Sequence, residues 1–166
     1  MKNLKKYMII GVFFVIVTGT LFHFVYEWTG NNFFAGFFFP INESVWEHMK
    51  LIFFPTLLYS FIVNKKLKED FPCISSSIYL GSIIGTFLIP IIYYAYYNIT
   101  GYSIFLLDII IFILSVIVAF IIAYKYTLSC DAKKYETLLN IIMYIIGLLF
   151  IVFTYFPPDI ELFISP

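Results

Sequence analysis

The sequence predicts an all-α integral membrane protein, a bundle of five transmembrane helices with a cytoplasmic N-terminus and an external C-terminus. Three observations predict this class: an apolar composition, five long apolar segments and a one-sided distribution of lysines. The 166 residues are 62% hydrophobic and only 12% charged, whereas a soluble domain carries about 25% charged residues. A chain with so little polar surface cannot cover itself in water. We therefore expect the lipid bilayer to be its main partner.

Five segments are long and apolar enough to cross about 30 Å of hydrocarbon as helices. We expect these spans at about 7–28, 45–63, 76–97, 103–124 and 138–156. The connections are short and no internal repeat is visible, so residues 1–166 are predicted to form one transmembrane domain. In the third span, Gly81 and Gly85 form a small-x-x-x-small pattern, which favours close approach of a neighbouring helix.

The orientation follows from the basic residues, all ten of which are lysines. Nine of them flank the spans on one side: Lys2, Lys5, Lys6, Lys65, Lys66, Lys68, Lys125, Lys133 and Lys134. The positive-inside rule assigns this side to the cytoplasm. The lack of arginine and of a basic stripe argues against a nucleic-acid partner. Abundant Ile, Lys, Asn, Phe and Tyr without arginine is typical of an AT-rich bacterial gene, which predicts a multi-pass protein of the bacterial plasma membrane.

Two further features follow from this topology. The segment 29–42 is rich in phenylalanine and too short to span, so we expect it to be interfacial or re-entrant, with a break at Pro40. Asn residues at its edges can satisfy exposed backbone groups.

Cys73 and Cys130 both fall near the cytoplasmic side, where thiols stay reduced, so no disulfide between them is expected.

A small set of ionisable residues in or near the spans is costly to place against lipid and therefore marks a polar site. The set comprises His23, Glu27, Glu43, Glu47, His48, Lys50 and Asp108. On the predicted topology all of them except Lys50 converge on the outer leaflet. His23 and Glu27 are four residues apart, so both can lie on one helix face. The same spacing separates Glu43 from Glu47. We expect these side chains to share one cavity.

Imidazole and carboxylate groups on facing helices are the ligands from which metal sites in helical bundles are built. The candidate ligands of a divalent metal are His23, Glu43, His48 and Asp108. The candidate catalytic residues are Glu47, His48 and Asp108, because carboxylates in unequal environments can divide acid and base roles. The candidate binding residues are His23, Glu27, Asn31, Asn32, Asn42, Glu43 and Lys50.

Structural interpretations compete with these functional ones. Ser44 and Glu47 match a capping box, in which the serine caps a helix and the glutamate returns the bond. Lys50 is best explained as a counter-ion for Glu43 or Glu47. Asp108 lies about five residues into its predicted span, too deep for a capping role, so it is either functional or hydrogen-bonded to a neighbouring helix.

Three strings resemble a bacterial family of small integral membrane proteins that is classified as a domain of unknown function. They run from His23 to Asn32, from Pro40 to Lys50 with the motif Asn-Glu-Ser-Val-Trp-Glu-His, and from Thr154 to Pro158. The tail departs from the family pattern, in which an Asp-Pro ending is usual, because this chain ends in Ser165-Pro166. The resemblance implies the architecture and draws attention to the central motif, and it implies no activity.

Three functions remain open from the sequence. The favoured one is a membrane-embedded enzyme, with or without a divalent metal, that acts on a lipid-linked or other small-molecule substrate. The first alternative is a small ion- or proton-coupled transporter. The second is an accessory or signalling membrane protein without catalytic activity. The sequence contains no Gly-rich phosphate loop and no His-Glu-x-x-His motif that would decide between them.

Overall fold

A computed structural model describes residues 3–165, and over these residues the protein is helical without strands. Its five α-helices are α1, Leu4–Trp28; α2, Val45–Leu67; α3, Ile74–Thr100; α4, Phe105–Ser129; and α5, Glu136–Tyr155. Short 3₁₀ turns lie at Ala35–Phe37, Asp131–Tyr135 and Glu161–Phe163. The all-α class is thus confirmed, and each of the five predicted apolar segments coincides with one of these helices to within a few residues at either end.

Four segments are long and apolar enough to cross a membrane: Leu4–Trp28, Ile74–Thr100, Phe105–Ser129 and Asp131–Tyr155. Helix α2 is not among them, because residues such as Glu47, His48 and Lys50 lower its hydropathy. Most of α2 is instead buried inside the bundle, where it packs against α1, α3 and α5. The most polar helix is therefore the central one.

Helices α3 and α4 form the closest pair in the bundle, and glycine makes their approach possible. A Cβ atom added to Gly85 would lie only 2.7 Å from the Cβ of Ala119 on α4. Any larger residue at this position would push the two helices apart. The close approach predicted from Gly81 and Gly85 is confirmed.

The Phe-rich segment between α1 and α2 folds back over the end of α5. The Asn32 side chain accepts hydrogen bonds from the backbone N–H groups of Phe34 and Ala35, which starts the 3₁₀ turn. The Tyr155 hydroxyl of α5 donates to the Phe33 carbonyl at 2.6 Å. These bonds hold the segment in place immediately before the N-terminus of α2, where the candidate site begins.

At the opposite end of the bundle, Cys73 and Cys130 form a disulfide with their Cα atoms 5.4 Å apart. The prediction that they do not pair is wrong. It was based on the redox compartment, which carries no information about distance. Because α3 and α4 are packed antiparallel neighbours, the residue before α3 and the residue after α4 meet at the same end.

Candidate metal centre

Two helices and the connection between them supply the polar residues of the candidate site. Helix α1 contributes His23 near its C-terminal end, and α2 contributes His48 in its first turn. Glu43 lies just before the Ser44 N-cap, whose side chain accepts from the backbone N–H of Glu47. The Asn42 side chain in turn accepts from the Ser44 N–H at 2.9 Å. This capped turn fixes Glu43 beside the two imidazoles.

His23, Glu43 and His48 form what we call the imidazole–carboxylate cluster. The two Nε2 atoms lie 3.3 Å apart. The Glu43 Oε2 atom lies 3.4 Å from the Nε2 atom of His23 and 3.4 Å from that of His48. Three ligand atoms from three separate parts of the chain therefore form a nearly equilateral triangle.

The distances between the three ligand atoms distinguish a tetrahedral metal site from an octahedral one and from a set of hydrogen bonds. Ligands bound to one tetrahedral Zn²⁺ at about 2.0–2.1 Å lie about 3.3–3.4 Å apart. An octahedral ion with bonds of the same length would place neighbouring ligands only about 2.9 Å apart. Charge-assisted hydrogen bonds would also bring the atoms to about 2.7–2.9 Å. The observed spacing fits three corners of a tetrahedral zinc site.

The orientation of His48 supports the same interpretation. Its Nδ1 atom lies 2.9 Å from the carbonyl oxygen of Ser44, one helical turn earlier. A carbonyl can only accept, so Nδ1 carries the proton and donates it. The Nε2 atom of a neutral His48 then presents its lone pair to the cluster. A ligand histidine whose other nitrogen donates to a carbonyl is the usual arrangement in zinc sites.

Glu43 has the charge state that a metal ligand requires. Its hydrogen-bonding contact with His48 holds the pKa of the carboxyl below its ordinary value, against partial burial, and the charge of His23 acts in the same direction. A carboxylate and two imidazoles, which give up their extra protons when a metal binds, supply three ligand atoms to the cluster. The fourth position of a tetrahedral ion is then left for water or a substrate.

The cluster lies at the wall of a cavity of about 610 Å³, bounded by α1, α2, α3 and α4. Asp108 lines this cavity too, so four of the predicted site residues share it: His23, Glu43, His48 and Asp108. The Asp108 carboxylate accepts hydrogen bonds from the hydroxyl of Tyr96 and, at 2.7 Å, from that of Ser103. It is not one of the clustered ligand atoms.

Asp108 lies in the first turn of α4, which begins at Phe105. The sequence had placed it deeper in the span and excluded a role at the helix start. The structure corrects this point, because a first-turn carboxylate complements the helix dipole and here also fixes the connection from α3. Asp108 thus has a structural role in addition to its position on the cavity wall.

Glu47 and Lys50 belong to a different group of residues, the buried lysine network. The Lys50 ammonium donates to Glu47 Oε2 at 2.8 Å and to the Gly36 carbonyl at 2.9 Å, and it also donates to the Thr154 hydroxyl. Glu47 accepts further from the N–H of Ile41 and from Thr154. The Lys50 and Glu47 side chains are 0% and 2% exposed.

This network settles two of the structural interpretations. Lys50 is the counter-ion of Glu47, as predicted. The Ser44 half of the capping box is confirmed, but its return half is not, because the Glu47 carboxylate bonds to Ile41 and Lys50 instead of the Ser44 N–H. The expectation of one shared cavity fails for Glu47, because its side chain is enclosed by α5 and the Phe-rich segment.

The remaining predicted residues lie outside the cavity lining. Glu27 is exposed at the end of α1. Asn31 has a positive φ of 58° and forms part of the turn after α1. Asn32 and Asn42 bond to backbone N–H groups, the local role expected for asparagines at the edges of this segment.

Three residues around these groups were missed by sequence reasoning: Tyr96, Ser103 and Thr154. Tyr96 belongs to a run of tyrosines near the end of α3, and such a run is more usually explained as an aromatic belt at a membrane interface. Thr154 is separated from Glu47 by most of the chain, and nothing in its local sequence indicates an acidic partner. Only the tertiary packing of α5 against α2 brings the two together.

A family model described as a family of unknown function, DUF6512, matches residues 1–165. Because the match covers nearly the whole chain, the protein belongs to this family. No curated protein and no solved structure matches it significantly. The family match agrees with the resemblance drawn from the sequence strings, and it assigns no activity. The geometry of the imidazole–carboxylate cluster and its cavity is therefore the basis for a functional proposal.

Proposed function

We propose that this DUF6512 protein is a zinc-dependent hydrolase that acts on a lipid-linked substrate at the outer leaflet of the bacterial plasma membrane. In this proposal all five helices span the bilayer, with the N-terminus in the cytoplasm and the C-terminus outside. The observation that carries the proposal is the triangle of His23, Glu43 and His48, whose spacing fits tetrahedral zinc and which opens onto a largely apolar cavity.

Each residue has a distinct role in this proposal. His23, Glu43 and His48 hold the ion. Zinc in such a site lowers the pKa of water to about 7 and polarises a carbonyl group. Asp108 accepts the proton of the attacking water, since each of its oxygens keeps a free lone pair beside the bond from Tyr96 or Ser103. Those two hydroxyls orient the carboxylate.

Purified protein in detergent provides the test of metal and activity. We expect about one zinc per chain by elemental analysis, and ester hydrolysis that is lost on chelation and restored by Zn²⁺. Glu43→Gln should release the metal. Asp108→Asn should retain the metal and a folded bundle while hydrolysis falls by about 10²–10⁴-fold. The matched control is Asp159→Asn, an exposed carboxylate outside the cavity.

The alternative functions give different outcomes in the same material. An ion-coupled transporter would show no turnover in detergent and would move its substrate only along a gradient in proteoliposomes. An accessory protein would keep its full phenotype in the host with Glu43→Gln and with Asp108→Asn. Either result, or a protein without zinc after loading, rejects the hydrolase.

The orientation rests on the lysine asymmetry and has its own test. Reporters fused after Lys68 and Lys134 should lie in the cytoplasm, and one fused after Pro166 should lie outside. The Cys73–Cys130 disulfide lies at the lysine-rich end, and because disulfides persist in oxidising compartments it favours the opposite orientation. The reporters decide between these two opposed observations. A cytoplasmic C-terminus would reject the topology with five spans. Reporters outside the cell at the lysine-rich end would show that the bundle has the opposite orientation.

A further inference from the structure

The cavity beside the imidazole–carboxylate cluster has an apolar mouth. Phe24 on α1 and Phe105 and Ile109 on α4 line the cavity and are also exposed on the outside of the bundle. These helices are among those long and apolar enough to lie in a membrane. The mouth between α1 and α4 therefore faces the region that lipid would occupy, so a hydrocarbon chain can enter without crossing water.

Part of the cavity wall is apolar and buried. Leu51, Ile89 and Ile111 line it, and each is buried. Its volume of about 610 Å³ lies within the range of about 300–1,000 Å³ that is usual for pockets enclosing a small ligand. The polar groups are concentrated at the cluster and at Asp108. A ligand that fills this space needs an apolar chain attached to a polar reacting group.

The charges of the cavity restrict the reacting group. Among the described residues that line it, the ionisable side chains are two histidines, one tyrosine and the carboxylates Glu43 and Asp108, with no lysine. Lys50 is withdrawn into the buried lysine network, where all three of its donors are used. With Zn²⁺ bound, the two positive charges of the ion would be balanced by the carboxylates of Glu43 and Asp108, which leaves no net positive charge in the cavity to pair with an anionic phosphodiester, whereas a neutral ester needs none.

We propose that the substrate is a neutral carboxylic ester of a long acyl chain, and that the chain lodges between α1 and α4 against Ile111. This inference rests on the zinc hydrolase proposed above and adds the substrate class. Water provides an oxygen that bonds to the carbonyl carbon, and Asp108 takes its proton. The ester C–O bond then breaks, and the departing alcohol oxygen receives the proton from Asp108. The products are a fatty acid and an alcohol.

The first test compares acyl chain lengths. Wild-type protein loaded with zinc should hydrolyse a 16-carbon p-nitrophenyl ester with a higher kcat/KM than the 4-carbon ester. Ile111→Trp fills the end of the cavity and should lower kcat/KM for the long ester by about tenfold or more, the discrimination typical of apolar pockets, while the short ester changes by less than about twofold. Ile110→Trp is the matched control, because Ile110 is exposed and outside the cavity lining.

The outcomes separate this inference from the hydrolase itself. Equal loss with both esters in Ile111→Trp, or the same loss in Ile110→Trp, overturns the chain site while zinc-dependent turnover still stands. Faster hydrolysis of bis(p-nitrophenyl) phosphate than of any carboxylic ester overturns the neutral substrate. If wild-type protein binds no zinc and hydrolyses nothing, the hydrolase fails first.

A second test needs no catalysis. Zinc-free protein in detergent is photolabelled with the methyl ester of a 16-carbon fatty acid that carries a diazirine in mid-chain, and the adducts are mapped by mass spectrometry. We expect labelling of the α1 and α4 segments that contain Phe24 and Ile109, with at least about a tenfold decrease in Ile111→Trp but not in Ile110→Trp. Labelling spread evenly over all lipid-facing helices would overturn the chain site.

Discussion

Two polar groups lie near the N-terminal end of α2, which contributes residues to both, and they differ in burial, hydrogen bonding and contact distances. In the buried lysine network, the charged side chains of Glu47 and Lys50 are fully enclosed and every ammonium donor has a partner. In the imidazole–carboxylate cluster, the side chain of Glu43 is 64% exposed, and its contacts with the imidazoles are longer than hydrogen bonds between charged groups.

The difference shows how structural and functional charges can be distinguished in an apolar chain. Both groups place ionisable side chains within an apolar helical bundle, where such groups are costly unless they are paired or bind a ligand. Only one has its hydrogen-bonding capacity fully used within the protein, and that group needs no ligand to explain it. The other brings three ligand atoms within 3.4 Å of one another and faces a cavity. We therefore assign a structural role to Glu47, and we propose a metal-binding role for Glu43 and His48.

The largest expected effect comes from the same substitution at the two glutamates. Glu47→Gln leaves Lys50 as a buried cation without its carboxylate and should lower the free energy of unfolding by about 3–5 kcal/mol. Glu43→Gln, at an exposed position, should change it by less than about 0.5 kcal/mol. Urea unfolding in detergent, followed by circular dichroism, measures both.

A second substitution checks the cause of that loss. Adding Lys50→Met to Glu47→Gln removes the unpaired charge and should restore part of the stability, giving a coupling energy of about 0.5–3 kcal/mol between the two sites. If the stability losses of the single variants Glu47→Gln and Lys50→Met simply add in the double variant, the ion pair is not the reason for the instability of Glu47→Gln.

The next effect concerns zinc affinity. His23→Gln and His48→Gln each remove one of three ligands, so each should weaken zinc binding by more than the about 10–100-fold typical of changes to supporting residues. Stability without metal should remain close to that of the wild-type protein. Competition with a chelating indicator dye measures the affinity. A loss of less than about tenfold in both variants would show that the cluster does not bind zinc.

A smaller effect tests how the Phe-rich segment is anchored to the buried lysine network. Gly36 is buried and supplies a carbonyl to Lys50, and a Cβ at this position would lie 2.8 Å from Ile41 Cγ2. Gly36→Ala should therefore cost about 1–3 kcal/mol of unfolding free energy. Gly147→Ala is the control, since an added Cβ there would meet the Phe53 side chain at an ordinary 3.7 Å. Equal stability of the two variants would show that the segment is not anchored there.

The comparison also shows what the sequence could and could not predict. Apolar segment length is a local property, so the five helices and their approximate ends follow from it. The convergence of His23, Glu43 and His48 could be anticipated, because adjacent antiparallel helices bring their connected ends together. The separation of Glu47 from Glu43 could not, since their spacing of four residues predicts a shared face. Glu43 precedes the helix, and the position of α5 determines where Glu47 is buried.

The smallest effect isolates the turn that joins the two groups. Ser44→Ala removes the side-chain acceptor of the Glu47 N–H and should lower the unfolding free energy by about 1 kcal/mol, as expected for loss of an N-cap. The bond from His48 Nδ1 goes to the Ser44 backbone carbonyl, which the substitution keeps, so zinc affinity should fall by less than about tenfold. Ser44→Thr retains a capping oxygen and should be close to wild type in both measurements. A large loss of zinc affinity in Ser44→Ala without a matching loss of stability would mean that the serine hydroxyl itself supports the metal site, and the division between the two groups would then have to be redrawn.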